Sequence, residues 1–310
     1  MNDHFPAVLA CRCRPGSVAH LVTVTGIQLT IQVLTCSALV GLLLGVGLRL
    51  TVDEVKAALG GCRLTVILLV NFLAIPLLTV AAARWFGLTH PTAVAMLLLA
   101  ASPFAPVVPV FARMARADLA LAAGLTAGVP LLAMILTPLV AETGLRLLAE
   151  ADSVQFNFLT SLATLLATIS LPLAAGVFVR RWAPRVGRLL LRPVEIISET
   201  TGAASLAFVT VTEFGSILNL GWKAWLLMAL ISEVSMLAGW MVGGPDRSSR
   251  QVVALGTSNR NIALALLIAV QSFPGTPVVS AVVGNGLLLI GLGLLHVAWW
   301  RFAAKQPPAR

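Results

Sequence analysis

Long apolar stretches alternate along this chain with short polar connections. A bilayer crossing needs about 20 mostly apolar residues. About nine stretches qualify: roughly 24–48, 65–86, 92–112, 119–141, 156–179, 197–219, 224–243, 251–272 and 278–300. Each is expected to be a helix, because lipid offers no partner for a backbone N–H or C=O. The pattern predicts an all-α polytopic membrane protein. One transmembrane unit would cover 24–303, between tails at 1–23 and 304–310.

Two of these stretches are damaged as helices. The third contains SPFAPVVPV, with Pro103, Pro106 and Pro109. Each proline removes a backbone donor and clashes with the preceding turn, at about 3 kcal/mol in a helix interior. The eighth contains GTSNRN, residues Gly256–Asn261, whose polar side chains are able to bond exposed backbone. Paired interruptions in the two halves of a membrane protein point to a transporter binding site.

Composition agrees with the pattern. The 310 residues are 58% hydrophobic and 11% charged, with a mean hydropathy of +0.96, whereas soluble domains carry about 25% charged residues. The net charge of +9 reads as membrane topology rather than as nucleic-acid binding. Basic residues cluster in alternate connections: Arg49, Lys56 and Arg63; Arg113 and Arg116; Arg180, Arg181, Arg185, Arg188 and Arg192; Arg247 and Arg250; Arg301, Lys305 and Arg310. The other connections hold only Arg84, Arg146 and Lys223. The basic side is expected to be cytoplasmic, with the N-terminus outside and the C-terminus inside. Cys11, Cys13, Cys36 and Cys62 show neither zinc spacing nor a disulfide framework. Residues 1–20 lack the sustained apolar core of a signal peptide. His4, His20, His90 and His296 lie at or near connections or ends and receive no ligand role.

The damaged stretches carry a resemblance. LTVDEVKAALGGCR followed by VNFLAIPLL, SPFAPVVPVFARMARADLALA and ALGTSNRNIALAL occur in the order and spacing of the bile acid:sodium symporter family. The chain resembles a bacterial member of that family over nearly all of its length after about residue 24. The resemblance implies a cytoplasmic (inner) membrane protein with an inverted-repeat core whose two broken helices cross near the midplane. The core would comprise roughly 65–141 and 224–300, and a panel roughly 24–48 and 156–219. Relatives that bind sodium place Glu and Gln just before an Asn on the second broken helix. Here those positions align with Ala254, Ser258 and Asn259. A Ser-Asn at the first break aligns with Val108-Pro109, and a sodium-binding Ser on the next helix with Ala122. Thr126 survives, and Asn71 stands where a Gln is usual. Most sodium ligands are therefore replaced. Sodium or a proton remains the candidate coupling ion, and no cofactor or metal is called for.

Arg260 carries the sharpest expectation. A guanidinium at mid-bilayer costs about 2.5–3.5 kcal/mol on insertion scales, so it needs a partner or a hydrated cavity. One reading makes it a fixed cation that holds an organic anion, with Thr257, Ser258, Asn259, Asn261, Pro106 and Pro109 around it. The other pairs it with Glu233, at the middle of the seventh stretch. Glu213 is expected towards the outer end of the sixth, Glu199 near its solvated cytoplasmic end, and Asn285 on the ninth.

Enzyme chemistry lacks its equipment. No D-x-x-x-D, H-E-x-x-H, G-x-x-x-x-G-K or G-x-S-x-G occurs. The sequence predicts a secondary active transporter of a small organic anion, working by alternating access. The alternative is a non-transporting sensor or a channel-like protein on the same fold. The expected partners are the substrate anion and the bilayer, with no nucleic acid and no obligatory protein partner.

Overall fold

The nine apolar stretches become helices in the computed structural model, which describes residues 15–49, 53, 60, 63–148 and 158–303. The tails 1–14 and 304–310, with Cys11 and Cys13, lie outside these residues, as do Lys56 and Cys62. The helices are α1 (Pro15–Arg49), α2 (Leu64–Trp85), α3 (His90–Ala100), α4 (Val108–Ala115), α5 (Leu119–Leu148) and α6 (Leu159–Trp182). They continue as α7 (Pro184–Thr212), α8 (Phe214–Leu218), α9 (Trp222–Val242), α10 (Arg247–Ser258), α11 (Ile262–Ser272) and α12 (Val278–Ala303).

Among the described residues, eight helical segments are long and apolar enough to cross a membrane, counting α10 and α11 as one. The pair α3 and α4 forms the remaining, interrupted stretch. The protein is thus a multi-pass, all-α membrane protein.

Two helices depart from simple α geometry. In α2 a π-turn spans Val70–Ala74, just before Pro76; in α6 another spans Leu166–Ser170, just before Pro172. A proline ring needs room at the carbonyl four residues back, and the wider π-turn supplies it. The sixth stretch starts earlier than its hydropathy predicts. It begins at Pro184, a residue suited to a first helical turn. Arg185, Arg188 and Arg192 therefore ride on α7 rather than on a loop.

Packing divides along the chain. α1 lies against α6 and α7, and α9 lies against α10. Arg49 at the end of α1 is paired with Glu195 of α7. The α10–α11 segment is the innermost: 89% of its most apolar window is buried, against 17% for α7. A charged, polar break thus sits on the helix with the least access to lipid.

Candidate functional site at the crossing of two broken helices

The first break runs from Ala101 to Val107, and the second is Asn259–Asn261. They meet. The amide of Phe104 donates to the carbonyl of Gly256 at 3.2 Å, and that of Ala105 to Asn259 at 3.1 Å. The amide of Asn261 donates to the carbonyl of Ser102 at 2.7 Å. Each break thus satisfies backbone groups that the other exposes, as buried backbone requires.

Local chemistry completes the crossing. Thr137 of α5 donates to the carbonyl of Ala101 at 2.7 Å, covering the end of α3. Asn261 caps α11, its Oδ1 accepting from the amide of Leu264 at 3.1 Å. Pro109 sits in the first turn of α4, where its missing N–H costs nothing. Phe104 has φ of 60° and is fully buried, a left-handed conformation rare for a bulky residue. Its ring fills the space above Gly256, where a Cβ would lie inside it.

Arg260 is buried in the middle of this arrangement, with 4% of its surface exposed. Its Nη1 donates to Asn71 Oδ1 at 3.2 Å and to the carbonyl of Ala100 at 3.1 Å. The second contact sets a cation on the C-terminal end of α3, where the helix dipole is negative. Asn71 belongs to the π-turn of α2. Its Nδ2 donates to Ile67 and, at 3.2 Å, to Thr257 Oγ1. One amide therefore ties α2 to both α10 and the break.

The expected Glu233–Arg260 pair does not form. Glu233 Oε2 lies 3.1 Å from His296 Nε2 of α12, and its side chain is 45% exposed. Glu233 leans away from the buried crossing, and the i, i+4 pattern of one helix could not reveal that. Among the described residues, no carboxylate comes within ion-pair reach of Arg260. Arg260 Nη2 and Asn259 Oδ1 are buried without a hydrogen-bond partner. Gly293 of α12 makes room for the Asn259 side chain, which would lie 2.8 Å from a Cβ there.

The other expected residues divide. Ser258 Oγ is 3.0 Å from Ser232 Oγ of α9. Thr126 donates its hydroxyl proton to the carbonyl of Ala122 within its own helix, at 2.7 Å, which leaves the oxygen's lone pairs free. Glu213 lines a separate cavity with Pro274 and Pro277. His296, placed near a helix end from sequence, is instead a partner of Glu233. Nothing local signals that pairing, because it joins residues on two different helices.

Arg260 lines a cavity of about 400 Å³ between α1, α4, α7, α11 and α12. Pro106, Asn259 and Asn261 share its wall, as do Ala105, Val107, Ile262 and Ala263. The first turns of α4 and α11 thus face the same space as the guanidinium, and both helix ends carry positive partial charge. The remaining wall is largely apolar, with Leu42, Val110, Leu206, Leu266 and Ile290. Thr35 and Ser205 add a hydroxyl pair at 2.8 Å. Glu199 also borders the cavity with an exposed side chain.

The sequence profile of the family described as Sodium Bile acid symporter family matches residues 21–233. The matched region contains the first break and stops before α10. A protein of Arabidopsis thaliana named as a probable chloroplastic sodium/metabolite cotransporter, BASS1, is 25% identical over 270 residues. The alignment takes in 85% of this chain and 66% of that relative, so the chain spans slightly less than two thirds of its length.

Proposed function

Because the chain belongs to the sodium bile acid symporter family, a family of transporters, we propose that it is a secondary carrier of a small organic anion. The observation that carries this reading is Arg260: a buried guanidinium at the crossing, with no carboxylate within ion-pair reach among the described residues, on the wall of a 400 Å³ cavity. A buried charge needs compensation. A carboxylate or sulfonate entering the cavity would provide it, aided by the first turns of α4 and α11. The apolar wall suits an anion with a hydrocarbon or aromatic body.

Transport would follow alternating access. α1, α6 and α7 form the panel, and α2–α5 with α9–α12 form the core that rocks against it. The cavity lies between these two groups. Its wall takes in Thr35 to Leu42 of α1 and Ser198 to Leu206 of α7, with Val110 of α4 and Leu266 of α11.

Arg260 also bears on coupling. Its Nη1 is bonded to Asn71 Oδ1 and the carbonyl of Ala100, two oxygens of the kind a sodium ion would bind. With Ala254, Ala122 and Val108-Pro109 at positions where sodium-binding relatives carry ligands, the guanidinium acts as a resident cation in place of sodium. The family and the named cotransporter relative support the second reading, in which sodium is still required. The two separate in a thermal-shift assay of acetate, benzoate, 3-phenylpropionate and 2-phenylethanesulfonate, run in sodium and in choline buffers. Equal protection in both is the expected result. Protection in sodium alone would establish the second reading.

A further inference from the structure

Arg260 faces a second void. It is much smaller, about 20 Å³, and its walls include Ser232 and Ser235 of α9, Ser258 of α10 and Asn285 of α12. Only Arg260 and Leu289 are shared with the large cavity. A void needs about 10–15 Å³ of such room to hold one water.

Two polar atoms on these wall residues are buried without partners: Arg260 Nη2, a donor, and Asn285 Oδ1, an acceptor. Asn285 is 5% exposed and Arg260 is 4% exposed. Ser232 and Ser258 are hydrogen-bonded to each other. That bond uses one hydroxyl proton of the two, so the second O–H is free to donate. The residues that carry this unpaired donor and this unpaired acceptor thus line one void of water size, whose other walls are largely apolar, with Ile75, Met96, Leu99, Met228 and Ile231. Chloride would satisfy the guanidinium but leave the Asn285 carbonyl facing an anion. A water answers both.

We infer that this void holds a single water that accepts from Arg260 Nη2 and donates to Asn285 Oδ1, making Asn285 a positioning residue for the guanidinium. The water hydrates the cation from the side away from the large cavity. Arg260 then remains charged and fixed when that cavity is empty. Asn71 and Ala100 hold one nitrogen, and the water-linked Asn285 holds the other. The part of this inference that concerns anion binding rests on the carrier reading above; the water site does not.

Asn285→Asp is the informative variant. A carboxylate at this position keeps the water bridge, sets a negative charge beside Arg260 and offsets the charge that attracts an anion. The expected result is a higher melting temperature in the wild-type background and a lower one in an Arg260→Gln background, where the carboxylate is buried alone. Protection by 3-phenylpropionate or 2-phenylethanesulfonate should weaken about tenfold or more, the equivalent of 1.4 kcal/mol. A structure of the wild-type protein that resolves buried waters supplies the direct check. One water peak between the two side chains is expected. An empty void, a bromide signal there after halide exchange, or the same direction of thermal shift in both backgrounds would overturn the inference. Arg260→Gln with undiminished anion protection would instead sink the carrier reading, and would leave the water to be judged on density and the thermal cycle.

Discussion

At the scale of the residue, Arg260 combines two tasks. Nη1 joins α2 and α3 through Asn71 and Ala100, while the charge of the group borders the large cavity. Arg260→Ala should abolish anion uptake in proteoliposomes while the protein still inserts. Truncating a buried charge that pairs with an ion costs about 2–5 kcal/mol, roughly 30-fold or more in affinity. Arg260→Lys keeps the charge but loses the planar fork. It should retain weak uptake, about tenfold or more below wild type, because a compact ammonium cannot reproduce the guanidinium's spread of donors between Asn71, Ala100 and an anion. Near-normal uptake by Arg260→Ala would remove the anchor role.

At the scale of the element, the breaks are held by each other. Three backbone hydrogen bonds link them, and the ring of Phe104 rests on Gly256. Gly256→Ala pushes a methyl into that ring, and Phe104 is fully buried with no space to retreat. Overpacking of this kind costs about 1–3 kcal/mol, so the melting temperature should fall. Uptake should fall with it, because the displaced Phe104 carries the backbone that bonds Gly256. A variant with wild-type melting and uptake would show that the crossing is more pliable than its packing indicates. The existence of both breaks was legible in the sequence, since three prolines and a run of polar side chains cannot continue a helix in lipid. Their mutual hydrogen bonding was not, because it joins residues about 150 positions apart.

At the scale of the molecule, close helix contact depends on absent side chains. A Cβ on Gly176 of α6 would lie 2.9 Å from the Cα of Gly47 and 2.5 Å from the carbonyl of Leu44, both on α1. Small residues let membrane helices approach at such distances. Gly176→Leu should therefore separate α1 from α6 and lower thermal stability, as read by fluorescence-detected gel filtration after heating. Retained stability would mean that the two helices are not packed as described. Topology offers a separate check. The basic connections after α1, α4, α6, α9 and α12 predict a cytoplasmic C-terminus. A C-terminal fluorescent reporter that folds only in the cytoplasm should be bright. A dark reporter, with an active periplasmic one in its place, would invert the orientation.

Several features of this protein follow from local physics that a single chain displays. Spans of 20 apolar residues must be helices in lipid. Three closely spaced prolines, or a run of polar side chains, interrupt them. An arginine in the middle of one must find compensation. These arguments yield the helix order, the two interruptions and the importance of Arg260, and the sequence motifs add the family. Only the folded molecule decides how the charges pair. Glu233 and Arg260 both read as mid-span charges seeking a partner. The angular position of each side chain around its helix sends Glu233 to His296 and Arg260 to Asn71 and Ala100. The same holds for Asn285. Its place in the sequence marks it as a polar residue in an apolar helix, but the packing of α9, α10 and α12 sets it beside the void that Arg260 also lines. Hydrophobicity is a property of each stretch and survives in one dimension; the orientation of a side chain depends on every neighbouring helix and exists only in three.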